Sequence, residues 1–103
     1  MDADLIQALG DALFAALRAR RTVEPLTNRH PDITVDDAYR ISLRLLERRV
    51  AAGERVTGKK IGVTSKPVQD MLGVYEPDFG QLTSGMVCTE RDGVDLSRMI
   101  QPK

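Results

Sequence analysis

The stretch G-E-R-V-T-G-K-K-I-G-V-T, residues 53–64, marks a change of pattern, because helical periodicity precedes it and short, glycine-rich segments follow it. Its β-branched residues predict a strand over residues 55–64. Alternation along that strand places on one face Val56, Gly58, Lys60 and Gly62. The glycines would leave space beside the Lys60 ammonium, which could then bind a carboxylate or stabilise an enolate. Most lysines are exposed, so an exposed strand lysine is the simpler interpretation.

Two amphipathic helices are predicted before the strand. In the first, over about residues 4–20, leucines recur at every fourth position and share one face, namely Leu5, Leu9, Leu13 and Leu17. The second covers about residues 34–52, where Thr34 can cap the first turn and Asp37 can complete a capping box. The proline-containing segment between the two helices, residues 22–32, predicts a connecting loop.

Shorter elements are predicted after the strand. Ser65 and Gly73 predict the start and the end of a helix over about residues 66–72. The turn 76–80 carries Asp78, and an aspartate in such a turn usually caps its own backbone. Short strands are expected after residue 80, over residues 81–83, 86–89 and 94–96. These elements predict an α+β fold, and no repeat or change of composition divides residues 1–103 into separate domains.

The composition excludes several classes of partner. Fifteen basic and fifteen acidic residues give a formal net charge of zero, whereas proteins that bind nucleic acids or anionic membranes need surplus positive charge. No apolar run is long enough to span a membrane. The single cysteine, Cys88, cannot form an internal disulfide, which favours an intracellular, cytoplasmic protein.

Two further patterns carry little weight. Gly53–Lys59 spells G-x-x-x-x-G-K, but the next residue is Lys60 where a nucleotide-binding loop needs Ser or Thr, and the pattern follows a helix instead of opening one. His30 and Cys88 are the only histidine and cysteine, so the chain has no set of three or four such metal ligands. We interpret His30 as a solvated loop residue and Cys88 as a buried strand residue.

The text from Gly53 to Thr83, with G-K-K-I-G-V-T and P-D-F-G as its most specific phrases, resembles the N-terminal region of the 2-keto-4-pentenoate hydratases, also called 2-hydroxypenta-2,4-dienoate hydratases. The resemblance continues through D-A-Y-R-I-S-L-R-L-L-E-R-R at residues 37–49 and I-Q-P-K at residues 100–103. It implies the hydratase/decarboxylase branch of the fumarylacetoacetate hydrolase superfamily. P-D-F-G favours the hydratases over the related oxalocrotonate decarboxylases.

The resemblance also implies a reaction. Family members act in the meta-cleavage degradation of aromatic compounds, where a 2-hydroxy-2,4-dienoate is ketonised and water adds at C4 to give 4-hydroxy-2-oxopentanoate. A magnesium or manganese ion chelates the 2-oxo acid and stabilises the dienolate. By position, Lys60 matches the lysine that would stabilise or protonate the enolate, and Asp78 matches the acidic residue that would transfer protons.

In the family, the I-Q-P-K text leads into an E-x-E pair of metal ligands and a barrel-like sheet, and this sequence reaches only Lys103. The resemblance therefore implies the N-terminal helical pair and first strands of a hydratase, which alone would bind no metal and turn over no substrate. The complete enzyme is expected to be a homo-oligomer that acts on a small 2-oxo or 2-hydroxy dienoate, with a downstream aldolase as a partner. Two alternatives stay open: a non-catalytic remnant or oligomerisation module, and a 4-oxalocrotonate-type decarboxylase.

Overall fold

The computed structural model describes residues 1–103 and divides into two compact units. The helical unit comprises Met1–Gly53 and Cys88–Lys103, and the ribbon unit comprises Glu54–Val87. In chain order the elements are α1 (Ala3–Arg18), α2 (Leu26–Arg29), α3 (Val35–Ala51), β1 (Val56–Gly62), α4 (Lys66–Leu72), β2 (Asp78–Thr83) and two 3₁₀ turns (Ser84–Met86 and Leu96–Arg98). No helix has both the length and the apolar character needed to cross a membrane.

A side-chain cap marks the start of α1, and residues with a positive φ follow the ends of both long helices. The Asp2 carboxylate accepts a hydrogen bond from the backbone N–H of Leu5 at 2.8 Å, which satisfies one of the free N–H groups in the first turn of α1. The helix ends at Arg18, earlier than the predicted residue 20, because Arg20 adopts a left-handed conformation with φ of 53°. Past α3, Gly53 takes a positive φ of 107°, which glycine tolerates best.

The capping box of α3 forms as the sequence predicts. The Thr34 hydroxyl accepts from the Asp37 N–H, and the Asp37 carboxylate accepts from the Thr34 N–H, both at 3.1 Å. The backbone N–H and the hydroxyl of Thr34, both as hydrogen-bond partners of the Asp37 carboxylate, lower its pKa below the ordinary value of 3.8, and the nearby α-amino group of Met1 and the guanidinium of Arg40 act in the same direction.

The core of the helical unit lies between α1 and α3. Ile6 and Leu9 of α1 pack with Ile41 of α3, which is only 1% exposed. Partly buried side chains surround this cluster, namely Leu5, Leu13, Leu26 and Ile33. Burial of these apolar side chains is the main favourable contribution to folding of the unit.

Polar contacts beside this core join the same two helices. Gly10 of α1 lies under the stem of Arg44. The Arg44 and Arg48 guanidinium groups then bind the Asp11 carboxylate at 2.8 and 2.9 Å. These hydrogen bonds lower the pKa of Asp11 and raise that of Arg44. The guanidinium of Arg48 also lies 4.8 Å from the centre of the Phe14 ring.

Three sequence expectations differ from the structure. The predicted loop 22–32 contains the single-turn helix α2, whose Leu26 packs against the core. The strands expected at 86–89 and 94–96 are absent, because no neighbouring strand offers them backbone partners. Their residues form short turns instead: the N–H of Val87 donates to the carbonyl of Ser84, and the Asp95 carboxylate caps Ser97. The assignment of residues 1–103 to part of one domain stays a prediction.

Candidate functional site

The two strands of the ribbon unit form an antiparallel pair whose register places Lys60 and Asp78 on one face. Lys60 of β1 lies directly opposite Gly80 of β2, and Gly62 lies directly opposite Asp78. Residues two apart on a strand share a face, so the lysine and the aspartate are diagonal neighbours. Asp78 is the first residue of β2, although the sequence predicted a turn there.

The two charged groups meet at the end of the ladder. The Lys60 Nζ lies 3.4 Å from the Asp78 Oδ1, and the side chains are 50% and 56% exposed. An exposed ion pair of this kind contributes only about 0–1 kcal/mol to stability. A ligand that reached this face would meet an ammonium donor and a carboxylate acceptor side by side, an arrangement that can serve proton transfer.

A one-residue irregularity near the start of β1 sets this register. Val56 pairs with Thr83, whereas Gly58 pairs with Leu82, so Thr57 is an extra residue that forms a β-bulge. Successive residues of β2 face opposite ways, and Val56 therefore lies on the face opposite Gly58. The predicted face of Val56, Gly58, Lys60 and Gly62 is accordingly wrong for Val56, because uninterrupted alternation does not hold across the bulge.

A carboxylate secures the base of the ribbon. Glu54 accepts hydrogen bonds from the Thr83 hydroxyl at 2.8 Å and from the Gly85 N–H at 3.1 Å. The backbones of Arg55 and Ser84 are also joined, since the Ser84 N–H donates to the Arg55 carbonyl at 2.9 Å. Thr83 is fully buried. These contacts fix the strand pairing at the Val56–Thr83 end of the ladder, and the register changes at the bulge that follows.

The chain leaves the ladder at the end of β1, directly after Gly62. Val63 has a φ of 55°, an uncommon and strained conformation for a β-branched residue. The side-chain amide of Gln69 in α4 donates to the Val63 carbonyl at 2.9 Å and holds this turn. Sequence reasoning did not single out Glu54 or Gln69, since each acts on a residue distant along the chain and neither belongs to a local motif.

The remaining candidates lie apart from this face. Lys59, the last residue of the loop-like G-x-x-x-x-G-K pattern, pairs with Gln81 on the opposite face of the ribbon from Lys60. His30 follows α2 and is half-buried. Cys88 is exposed and lies outside any strand, so the prediction of a buried strand cysteine is wrong, because the strand expected there does not form.

The side chains of residues 1–103 do not fit a divalent metal. No group of three or more His, Cys, Asp or Glu side chains is arranged to hold an ion, and a stable magnesium or manganese site needs several oxygen ligands. Asp78 offers a single carboxylate beside an ammonium, which repels a cation.

Comparisons with known proteins find relatives along the whole chain, although no family model matches it. The chain is 61% identical to a 2-hydroxypent-2,4-dienoate hydratase of Pseudomonas putida and 55% identical to a 2-hydroxyhexa-2,4-dienoate hydratase of Comamonas testosteroni. These matches cover 100% and 99% of this chain but only 47% and 39% of the relatives. The chain therefore spans less than half the length of these relatives, and its predicted resemblance to the hydratases is confirmed.

A solved structure supports the same relationship. The 4-oxalocrotonate decarboxylase from Pseudomonas putida G7, complexed with magnesium and adipate, matches 82% of this chain with a TM-score of 0.78 and 27% identity. The match covers 32% of the decarboxylase chain. The predicted α+β class and the relationship to this branch of enzymes are confirmed. The roles of Lys60 and Asp78 remain predictions.

Proposed function

We propose that this chain, a sequence relative of the 2-hydroxydienoate hydratases along its whole length, supplies the acid–base pair Lys60 and Asp78 to a hydratase that adds water to 2-hydroxypenta-2,4-dienoate. One observation carries the proposal. The antiparallel register brings the Lys60 Nζ to 3.4 Å from the Asp78 Oδ1, although the residues are eighteen positions apart in the sequence.

The chemistry needs two complementary groups. Ketonisation of a 2-hydroxydienoate removes a proton from the enol oxygen and delivers one to carbon. In the proposed roles, the Asp78 carboxylate accepts the enol proton, and the Lys60 ammonium stabilises the negative oxygen or donates a proton. Water addition at C4 then gives 4-hydroxy-2-oxopentanoate.

A divalent metal in the complete enzyme is part of the proposal, supported by the decarboxylase relative that is complexed with magnesium. When bound, such an ion would supply Lewis-acid stabilisation of a 2-oxo acid. The side chains of residues 1–103 do not themselves form a metal site. We also propose a cytoplasmic homo-oligomer, and an aldolase that consumes the product.

The proposal is tested with a chimaera. Residues 1–103 replace the matching segment of the Pseudomonas putida hydratase that is 61% identical, and dienoate consumption is followed with magnesium present. The parent chimaera should be active. Lys60→Ala and Asp78→Asn should each lower kcat by about 10²–10⁴-fold, the usual contribution of a general acid or base.

Two matched controls come from the same ribbon unit. Lys59→Ala removes the neighbouring lysine on the opposite face, and Asp70→Asn removes a carboxylate that pairs with Lys66 at 3.0 Å. Both should retain the parent rate. Equal losses in Lys59→Ala and Lys60→Ala, or full activity in Lys60→Ala, would contradict the proposed roles.

Other outcomes identify the alternatives. An active chimaera that releases carbon dioxide from 4-oxalocrotonate but does not hydrate the dienoate would indicate a decarboxylase. A folded chimaera with neither activity would indicate a non-catalytic module. The chain of residues 1–103 alone should show no turnover, and metal-dependent consumption of the dienoate by it would contradict that expectation.

A further inference from the structure

Each member of the Lys60–Asp78 pair lies opposite a glycine. Gly80 faces Lys60 across the ladder, and Gly62 faces Asp78. Directly opposite side chains on one face of a sheet have Cβ atoms about 4.5–5.5 Å apart and normally contact each other. At these two positions the facing side chain is missing, which leaves the diagonal approach of the charged groups unobstructed.

The space over Gly62 is the space in which the charges meet. A Cβ atom built on Gly62 would lie 2.6 Å from the Asp78 Oδ1 and 3.0 Å from the Lys60 Nζ. The first of these separations is shorter than any stable contact between a methyl group and an oxygen. Because the methyl group would be part of the strand, the carboxylate would have to move away from it.

The other two glycines near this face have graded surroundings. A Cβ atom on Gly80 would lie 3.2 Å from the Cε and 3.4 Å from the Cγ of Lys60, so it would press on the lysine stem without reaching the charges. A Cβ atom on Gly58 would meet only the Leu82 side chain, at 3.9 Å, which is an ordinary contact. None of the three glycines has a positive φ, so alanine introduces no backbone strain at any of them.

We propose that Gly62 and Gly80 are positioning residues, which hold Lys60 and Asp78 in register as a pair by leaving their facing positions empty, with Gly62 the more important. The inference rests on the proposed function only for the acid–base role of Lys60 and Asp78. The geometry itself concerns the chain of residues 1–103 and can be measured on that chain.

The test reads the coupling between the two charges by NMR. The four lysines, Lys59, Lys60, Lys66 and Lys103, are labelled with ¹³C-methyl groups, which keep their positive charge, and the Lys60 signal is identified by its loss in Lys60→Arg. Asp78→Asn should shift the Lys60 signal in the parent chain and leave the Lys103 signal in place.

The same Asp78→Asn comparison is then repeated in three backgrounds. The shift of the Lys60 signal should be lost with Gly62→Ala, reduced with Gly80→Ala and unchanged with Gly58→Ala, which is the matched control on the same strand and face. A destabilised fold alone would not produce this order, because Gly58→Ala changes the same strand. The amide signals of Lys59 and Gln81, which are paired across the ladder, report whether the ladder is intact in each variant.

Two results would overturn the inference: an undiminished shift in the Gly62→Ala background, or a loss of the shift with Gly58→Ala as well. If Gly62→Ala disrupts the pairing of β1 with β2, the Gly80→Ala background provides the test. A Lys60 shift that is unchanged in the Gly80→Ala background would contradict the proposal. Failure of the proposed function can be distinguished from failure of this inference. In that case the Lys60→Ala chimaera would be active, while the NMR coupling between Lys60 and Asp78 and its dependence on Gly62 would persist.

Discussion

Gly10 is the residue on which the close approach of α1 and α3 depends. Glycine in the middle of a helix costs about 1 kcal/mol relative to alanine, so propensity alone disfavours it there. A Cβ atom at this position would overlap the Cβ and Cγ of Arg44 and lie 3.1 Å from the Ile41 carbonyl oxygen. The Arg44 Cβ is fixed to its backbone and cannot rotate away, which means that the helices themselves would have to separate.

We therefore expect Gly10→Ala to lower the free energy of unfolding by about 1–2 kcal/mol, since overpacking costs more than the gain in helix propensity. Urea denaturation of the chain measures the change. Ala8→Gly, at an exposed position of the same helix, is the control and should lower stability by about 1 kcal/mol through propensity. A more stable Gly10→Ala chain would show that the helices do not pack as described.

Single residues were predicted well where their partners are near in sequence. Thr34 with Asp37 and Ser65 before α4 form the predicted caps, because a capping hydrogen bond spans only three residues. Lys60 was singled out by the glycines on its strand face and Asp78 by its turn, and the resemblance implied their roles, but nothing local indicated that the two residues touch. Their contact depends on strand pairing between distant segments, which a residue-by-residue pattern does not encode.

At the level of elements, the bulge at Thr57 determines which side chains share a face. A ladder that continued without interruption from the Val56–Thr83 pair would place Lys60 opposite Phe79 and move Asp78 to the other face, since a shift of one residue inverts every side chain. The sequence predicted the strand but not the bulge, because the bulge arises from pairing with β2 and from the Glu54 contacts at the base.

Paired cysteines can test this register. In a Cys88→Ser background, Lys59→Cys with Gln81→Cys should form a disulfide under mild oxidation, because these residues are directly opposite and such pairs have Cα atoms about 4.5–5.5 Å apart, within disulfide reach. Lys59→Cys with Gly80→Cys, which an unbulged ladder would pair, should keep its thiols. Mass spectrometry of the alkylated proteins counts free thiols, and the reverse result would exclude the bulged register.

At the scale of the whole molecule, acid should destabilise the fold through three aspartates. The pKa values of Asp11, Asp37 and Asp95 are lowered from 3.8, chiefly by hydrogen bonds from Arg44, from the Thr34 backbone and from Ser97. The unfolded chain binds protons more readily at these sites. Their stabilisation is therefore complete above the ordinary value and is lost as the pH falls through the lowered values.

The urea concentration at the midpoint of denaturation should therefore decrease as the pH is lowered from about 6 to about 3, as this linkage requires. Asp11→Asn removes one of the three groups and should show a smaller fall than the parent chain over the same range. Asp36→Asn, at an exposed position near the start of α3, serves as the charge-matched control. A parent chain whose stability increased on acidification would contradict the sign of all three shifts.

The four buried apolar side chains, Ile6, Leu9, Ala16 and Ile41, all belong to the helical unit, whereas the lysine–aspartate face belongs to the ribbon unit. Natural selection can consequently act on the two regions under different constraints. Substitutions on the exposed ribbon face leave the buried apolar side chains of the helical unit unchanged, so that face can vary in sequence without loss of the hydrophobic core. Relatives that carry different names, hydratase and decarboxylase, are compatible with a variable surface beside a separate hydrophobic core.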